Sequence, residues 1–162
     1  MQDFFKEEFQ FQIARKDRLQ QAVAFPVGLA LASGTVIKST LEMFDPINRC
    51  DWIAIGPSFL AFVCLIIFVI NGARFFVGHE YAFLPLTTDY ADFIDGFKEI
   101  DGKEGEDELK VALRAAYISG AAHNAKRNEA RSSALYWMNL SVAVSLLIGS
   151  LGFSILLFSQ KF

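Results

Sequence analysis

The sequence predicts an all-α integral membrane protein with three transmembrane helices, an N-terminal amphipathic helix and a cytosolic helical segment. Three observations predict it. Apolar residues make up 53% of the 162, with 17 Phe among them, and they are gathered into three blocks rather than spread as in a soluble chain. The second and third blocks carry no charge over a length that matches a bilayer core about 30 Å thick, which takes about 20 helical residues. Lys and Arg stand almost wholly before the first block and between the second and third, the asymmetry that orients membrane chains.

Residues 1–21 read as an amphipathic helix at the interface. Phe5, Phe9 and Ile13 recur four apart, and Phe4 and Phe11 broaden that face, while Lys6, Glu7, Arg15 and Arg18 lie elsewhere. Such a helix lies in the headgroup plane or packs on the cytosolic segment. The opening MQDFFKEEFQ lacks the form of a signal peptide, because charged residues persist as far as Arg18.

Residues 22–73 read as a transmembrane hairpin with spans at about 22–44 and 52–73. The first has a short apolar core from Ala22 to Ile37; Lys38 can snorkel, and Leu41, Met43 and Phe44 extend its reach. Pro26 removes a backbone donor and crowds the preceding turn, so a kink is expected near Phe25. The second lies between Asp51 and Arg74, with Trp52 at its outer end as an aromatic anchor. In lipid these segments must be helical, since unpaired backbone groups are costly there.

Residues 74–131 form the cytosolic segment. FFVGHEYAFLPLTT reads as an interfacial loop broken by Gly78 and Pro85. Thr87 or Thr88 can cap a helix over about 89–100, where Asp89 and Asp92 suit the dipole and Phe93, Ile94, Phe97 and Ile100 share a side. DGKEGEDE at 101–108 reads as a polar turn, without the ligand spacing of a calcium loop. From Glu106 the chain reads as helix, running on into the third span at 132–159. Together these pieces suggest one helix of about 50 residues. Tyr136 and Trp137 mark the inner end of that span. Orientation then follows from the basic residues. The N-terminus and 74–131, with Arg74, Lys98, Lys103, Lys110, Arg114, Lys126, Arg127 and Arg131, face the cytosol, and the tail after 159 faces outward.

Two faces are the candidate functional residues. Tyr117, Ala121, Asn124, Asn128 and Arg131 recur at alternating steps of four and three, the spacing of a helix–helix seam. Small residues flank them, and Gly120 in a helix interior suggests a close approach. Asn124 and Asn128 at such a seam can pair with their copies and fix an oligomer; alternatively they face water beside Lys126 and Arg127. In the third span Ser141, Ser145, Gly149 and Gly152 share a face. They either pack against other helices or line a water path in an oligomer.

The chemistry of other classes finds little support. A net charge of −3 gives no basic surface for nucleic acid. Cys50 and Cys64 form no CxxC, and with two histidines no zinc spacing exists, so no metal and no cofactor is expected. There is no G-x-S-x-G, H-E-x-x-H, Walker or dinucleotide motif, and the chain reads as no enzyme. Arg74 and His79 fit the R-x4-H string of HEPN ribonucleases, but they sit at a membrane edge without a partner motif. The absence of charge deep in the spans argues against an ion-coupled carrier and leaves a pore open.

Two stretches together carry a family resemblance. FFKEEFQFQIARKDRLQQAVAFPVG and AAYISGAAHNAKRNEARSSALYWMN, through Arg15–Leu19, Pro26, Tyr117, Asn124, Asn128 and Arg131, resemble the lead-ins to the spans of SLATT-like two-transmembrane effectors found with anti-phage defence operons. This chain departs by having three apparent spans. The resemblance implies a homo-oligomer of the bacterial inner membrane that forms or gates a pore, triggered by a soluble sensor or enzyme partner. It implies no catalytic residue. The alternative expectation is a non-conducting anchor that docks a soluble partner through its cytosolic helices.

Overall fold

A computed structural model describes residues 2–47, 51–78, 80–82 and 103–159. The described residues are all-α: α1 Gln2–Ala22, α2 Ala24–Met43, α3 Asp51–Phe76 and α4 Lys103–Ser159. Three helical stretches, Phe4–Met43, Asp51–Phe76 and Asp107–Ser159, are long and apolar enough to cross a membrane. Several expectations lie outside the described residues: the helix at about 89–100 with its threonine cap, the start of the polar turn, His79 and Cys50. The last helix begins at Lys103 rather than Glu106. The turn expected at 101–108 is therefore helical from Lys103, at a helix N-terminus whose dipole favours its acid-rich sequence.

The chain divides into two compact units, Met1–Arg18 with His79–Glu129, and Leu19–Gly78 with Ala130–Phe162. The first contains most of α1 and the opening part of α4. Phe9 and Gln12, one turn apart, are its buried side chains on α1, whereas Phe4 and Phe11 are exposed. The apolar face of α1 is thus narrower than the aromatic pattern suggests.

The second unit holds the end of α1, all of α2 and α3, and the rest of α4. Pro26 shapes its start. The break falls at Val23 rather than at Phe25, and the reason is the proline's reach. A proline withholds the N–H that the carbonyl four residues earlier would accept, and its ring crowds that carbonyl. Here that residue is Ala22, the last of α1. Val23 N–H instead donates to Gln20 O at 3.3 Å, and regular pairing resumes with Val27 N–H to Val23 O at 3.2 Å. Val23 keeps helical dihedrals, φ −68 and ψ −25, so the hydrogen-bond ladder is interrupted with little change of backbone conformation.

α2 packs on α3. At one end of the unit Val23, Phe75, Ala134, Leu135 and Met138 form an apolar core, with Leu19 and Phe68 against it. α3 continues through Pro57, closes with Val77 N–H on Ala73 O at 2.9 Å and is followed by Gly78 at φ 77, a left-handed position that glycine takes without strain at helix ends. Apolar side chains such as Leu31, Phe59, Val69 and Leu147 remain exposed along the three helices. Water would penalise that surface; hydrocarbon does not.

Candidate functional site

Among the described residues the polar side chains that join distant segments fall into three groups, one in the first unit and two in the second. In the first unit the group is built on α4. Asn124 reads the backbone of Ala82 at both ends of its amide: Oδ1 accepts from Ala82 N–H at 2.9 Å and Nδ2 donates to Ala82 O at 3.0 Å. One turn on, Asn128 Nδ2 donates to Gln12 O at 2.7 Å and to Gln12 Oε1 at 3.1 Å, while its Oδ1 accepts the hydroxyl of Tyr81 at 2.7 Å. His123 Nε2 lies 3.0 Å from Glu80 O, which fits the tautomer protonated at that nitrogen. Lys16 Nζ stands 5.0 Å from the Tyr81 ring centroid, within cation–π range.

The carboxamide suits this task because it carries donor and acceptor on one rigid plane, as a peptide group does. Two asparagines at i and i+4 lie on one helix face, so they hold residues 81–82 and the backbone of α1 side by side. Both are fully buried, which excludes the alternative that they face water. Sequence reasoning also offered them to a second copy of the chain; in this structure their amides are occupied within one chain. Tyr117 is half-buried with its ring edge-to-face on Phe9 at 5.8 Å, and Ala121 is buried beside it. A Cβ on Gly120 would stand 2.9 Å from Phe9 Cε2, so that glycine is where the ring lies down on α4.

Arg131 belongs elsewhere. It falls in the second unit, 4% exposed, with its guanidinium 4.3 Å from the centroid of Phe75. The five residues of the expected seam share a helix face without forming one site.

The second group runs along the span face of α4. Ser145 Oγ donates to Ala61 O on α3 at 2.7 Å and shares a 2.6 Å contact with Ser33 Oγ on α2, so one hydroxyl ties three helices. Above it the helices touch almost backbone to backbone. A Cβ on Gly149 would meet Ala61 and Val36 at 3.6 Å; one on Gly152 would meet Ser58 Oγ at 2.9 Å and Ala54 O at 3.0 Å. Ser141 turns its hydroxyl onto Met138 O of its own helix at 3.1 Å. All four residues of this face are buried in packing within the chain. Ser58, Thr40 and Asn71 likewise bond carbonyls one turn back on their own helices, the usual way of hiding polar groups from lipid.

At the far end of the bundle Asp51 is 1% exposed, accepting Asp45 N–H at 3.0 Å and Ser159 Oγ–H at 2.6 Å. This carboxylate sits in the first turn of α3, where the helix dipole favours an anion.

Gln12, Tyr81, Ser33 and Asp51 escaped sequence reasoning. Gln12 carried one signal, a polar side chain between Phe9 and Ile13 on the aromatic face. The others had none beyond their place at segment edges or inside an apolar block. These groups can donate, accept and clamp. Among the described residues no three His, Cys, Asp or Glu side chains converge as a metal requires. Comparison with family models, with curated proteins and with solved structures finds no match to this chain.

Proposed function

We propose that this chain is an effector of the bacterial inner membrane, its N-terminus cytosolic, that self-associates in the bilayer and opens a pore between copies in anti-phage defence. The observation that carries the reading is how little of the spans one chain covers. In the most apolar stretch of each candidate span, 22%, 17% and 33% of the residues are buried. Ample helix surface therefore remains for further copies. The Ser145–Gly152 face is closed by packing inside the chain, so a passage would have to lie between chains. The SLATT-like layout of the two lead-in stretches agrees with such an assembly and with a soluble trigger from the same operon. The test is the membrane potential, read by dye, in cells expressing the chain with its operon partners. Depolarisation on triggering is expected; an unchanged potential ends the pore reading.

A second reading has its own observation. Among the described residues the buried amides of Asn124 and Asn128 and the hydroxyls of Ser33 and Ser145 find their partners within one chain, an arrangement that needs no lumen and suits a non-conducting anchor that docks a soluble partner. A stable stoichiometric partner in pull-downs, with no ion flux through protein-loaded liposomes, favours the anchor.

A further inference from the structure

On the second unit an apolar groove opens between α2 and α3. Its deeper part, about 250 Å³, is lined by Ile37, Leu41, Ile55, Ser58, Phe59 and Phe62. The shallower part, about 420 Å³, shares Ile37, Leu41 and Phe62 and reaches Lys38 and Glu42. The one hydroxyl in the deeper part, Ser58 Oγ, already donates to Ala54 O at 2.9 Å. That hydroxyl has acceptor capacity only, and the other side chains of the deeper wall are apolar, so hydrocarbon is the content that costs least there. Charge appears only in the shallower part. Lys38 Nζ and Glu42 Oε1 stand 3.4 Å apart with side chains 74% and 63% exposed. An exposed i, i+4 pair of this kind is weakly held, so both charges are available to a ligand.

We propose that this groove binds one acyl chain of a zwitterionic aminophospholipid, with the lipid phosphate on Lys38 and its ammonium on Glu42. The inference rests on reading the second unit as membrane-embedded. The charge order carries the choice of occupant: one cation and one anion at one part of the cleft, uncharged wall elsewhere, is the profile of a phospholipid with a phosphate–amine head. A purely anionic head group would meet Glu42 as a like charge.

Gly34 supplies a clean probe. It lines the shallower part, and a Cβ there meets nothing within 4 Å. Gly34→Leu therefore fills the groove from an open position, leaving the packed faces of the bundle untouched. The full chain is reconstituted in vesicles of equal phosphatidylethanolamine and phosphatidylglycerol, extracted in mild detergent, and its retained lipid and particle mass are measured. The wild type is expected to retain phosphatidylethanolamine in preference. Gly34→Leu should lose it with unchanged thermal stability. Glu42→Ala should lower the preference for the amine head about two- to fivefold, as expected on losing one exposed ion pair. Equal retention by wild type and Gly34→Leu overturns the proposal. So does a Gly34→Leu particle of lower mass with its lipid unchanged, which would assign the groove to a second copy. Folded protein left in the aqueous phase without detergent overturns the membrane reading itself, an outcome distinct from a membrane-bound chain lacking the lipid preference.

Discussion

Ser33 and Ser145, 112 positions apart in the chain, stand 2.6 Å from each other at the centre of the second unit. The same Ser145 hydroxyl lies 2.7 Å from Ala61 O. Three helices are thereby fixed in register by a single side chain, in a setting where van der Waals contact gives little directional preference. Ser145→Ala should be mild, about 0.6–1.7 kcal/mol, because hydrogen bonds between transmembrane helices are worth about that. Ser145→Leu should cost more, about 1–3 kcal/mol, by forcing α4 away from α3. Thermal unfolding of the purified protein in detergent, compared across the two variants, checks the order; a Ser145→Leu protein as stable as wild type would remove the seam.

Gly149 and Gly152 look alike in the sequence and should behave oppositely. A methyl at Gly149 finds ordinary contact distances, the nearest 3.6 Å. Gly149→Ala should thus be neutral or gain up to about 1 kcal/mol of helix propensity. A methyl at Gly152 meets the backbone oxygen of Ala54 at 3.0 Å, which cannot turn aside as a side chain can. Gly152→Ala should destabilise by about 1–3 kcal/mol. The same melting measurement on both variants decides it, and equal effects would contradict the packing described.

Asn128 joins three segments of the first unit, since its amide holds Gln12 on α1 and Tyr81 from its place on α4. Asn128→Leu leaves the Tyr81 hydroxyl and the Gln12 side chain without that partner, at about 1–3 kcal/mol. The expected outcome is local: faster protease cleavage and faster amide exchange within residues 2–18, with the melting of the second unit unchanged. Unaltered exchange of α1 would show that the amide does not hold it.

Gly120 and Phe9 form a paired site. Gly120→Ala places a carbon 2.9 Å from the Phe9 ring and should expel it, with increased exchange of α1 as the readout. Adding Phe9→Leu, which shortens the opposing side chain, should restore much of the loss; a double variant no better than the single would indicate that the ring is not what Gly120 accommodates.

Asp51 is held by Ser159 at 2.6 Å across the end of the second unit. Ser159→Ala removes one donor from a buried carboxylate and should cost about 1.5–3 kcal/mol, the range for hydrogen bonds to charged groups. Calorimetry in detergent checks it, and loss of less than half the lower figure would mean that the α2–α3 loop alone satisfies the carboxylate.

The class of the molecule was legible in the sequence because it depends on sums. Whether a segment such as 53–70 exchanges water for lipid is set by its own apolar total, and no knowledge of its neighbours is needed. The same holds for the helical character of the segment leading into the last span, whereas the small face of Ser141, Ser145, Gly149 and Gly152 was equally compatible with packing and with a water path until its neighbours were known. Which groups meet across helices is a different kind of quantity. Periodicity placed Asn124 and Asn128 on one face, yet it could not say that the face closes on Gln12, Tyr81 and Ala82 of the same chain. Nor could it separate Arg131 from them, or bring Ser33 to Ser145 and Asp51 to Ser159. A buried polar group takes the nearest partner with the right geometry, and that partner is chosen by how helices distant in sequence pack. Apolar totals along the chain already suit these helices to lipid rather than water; which side chains are kept from it depends on how the helices pack.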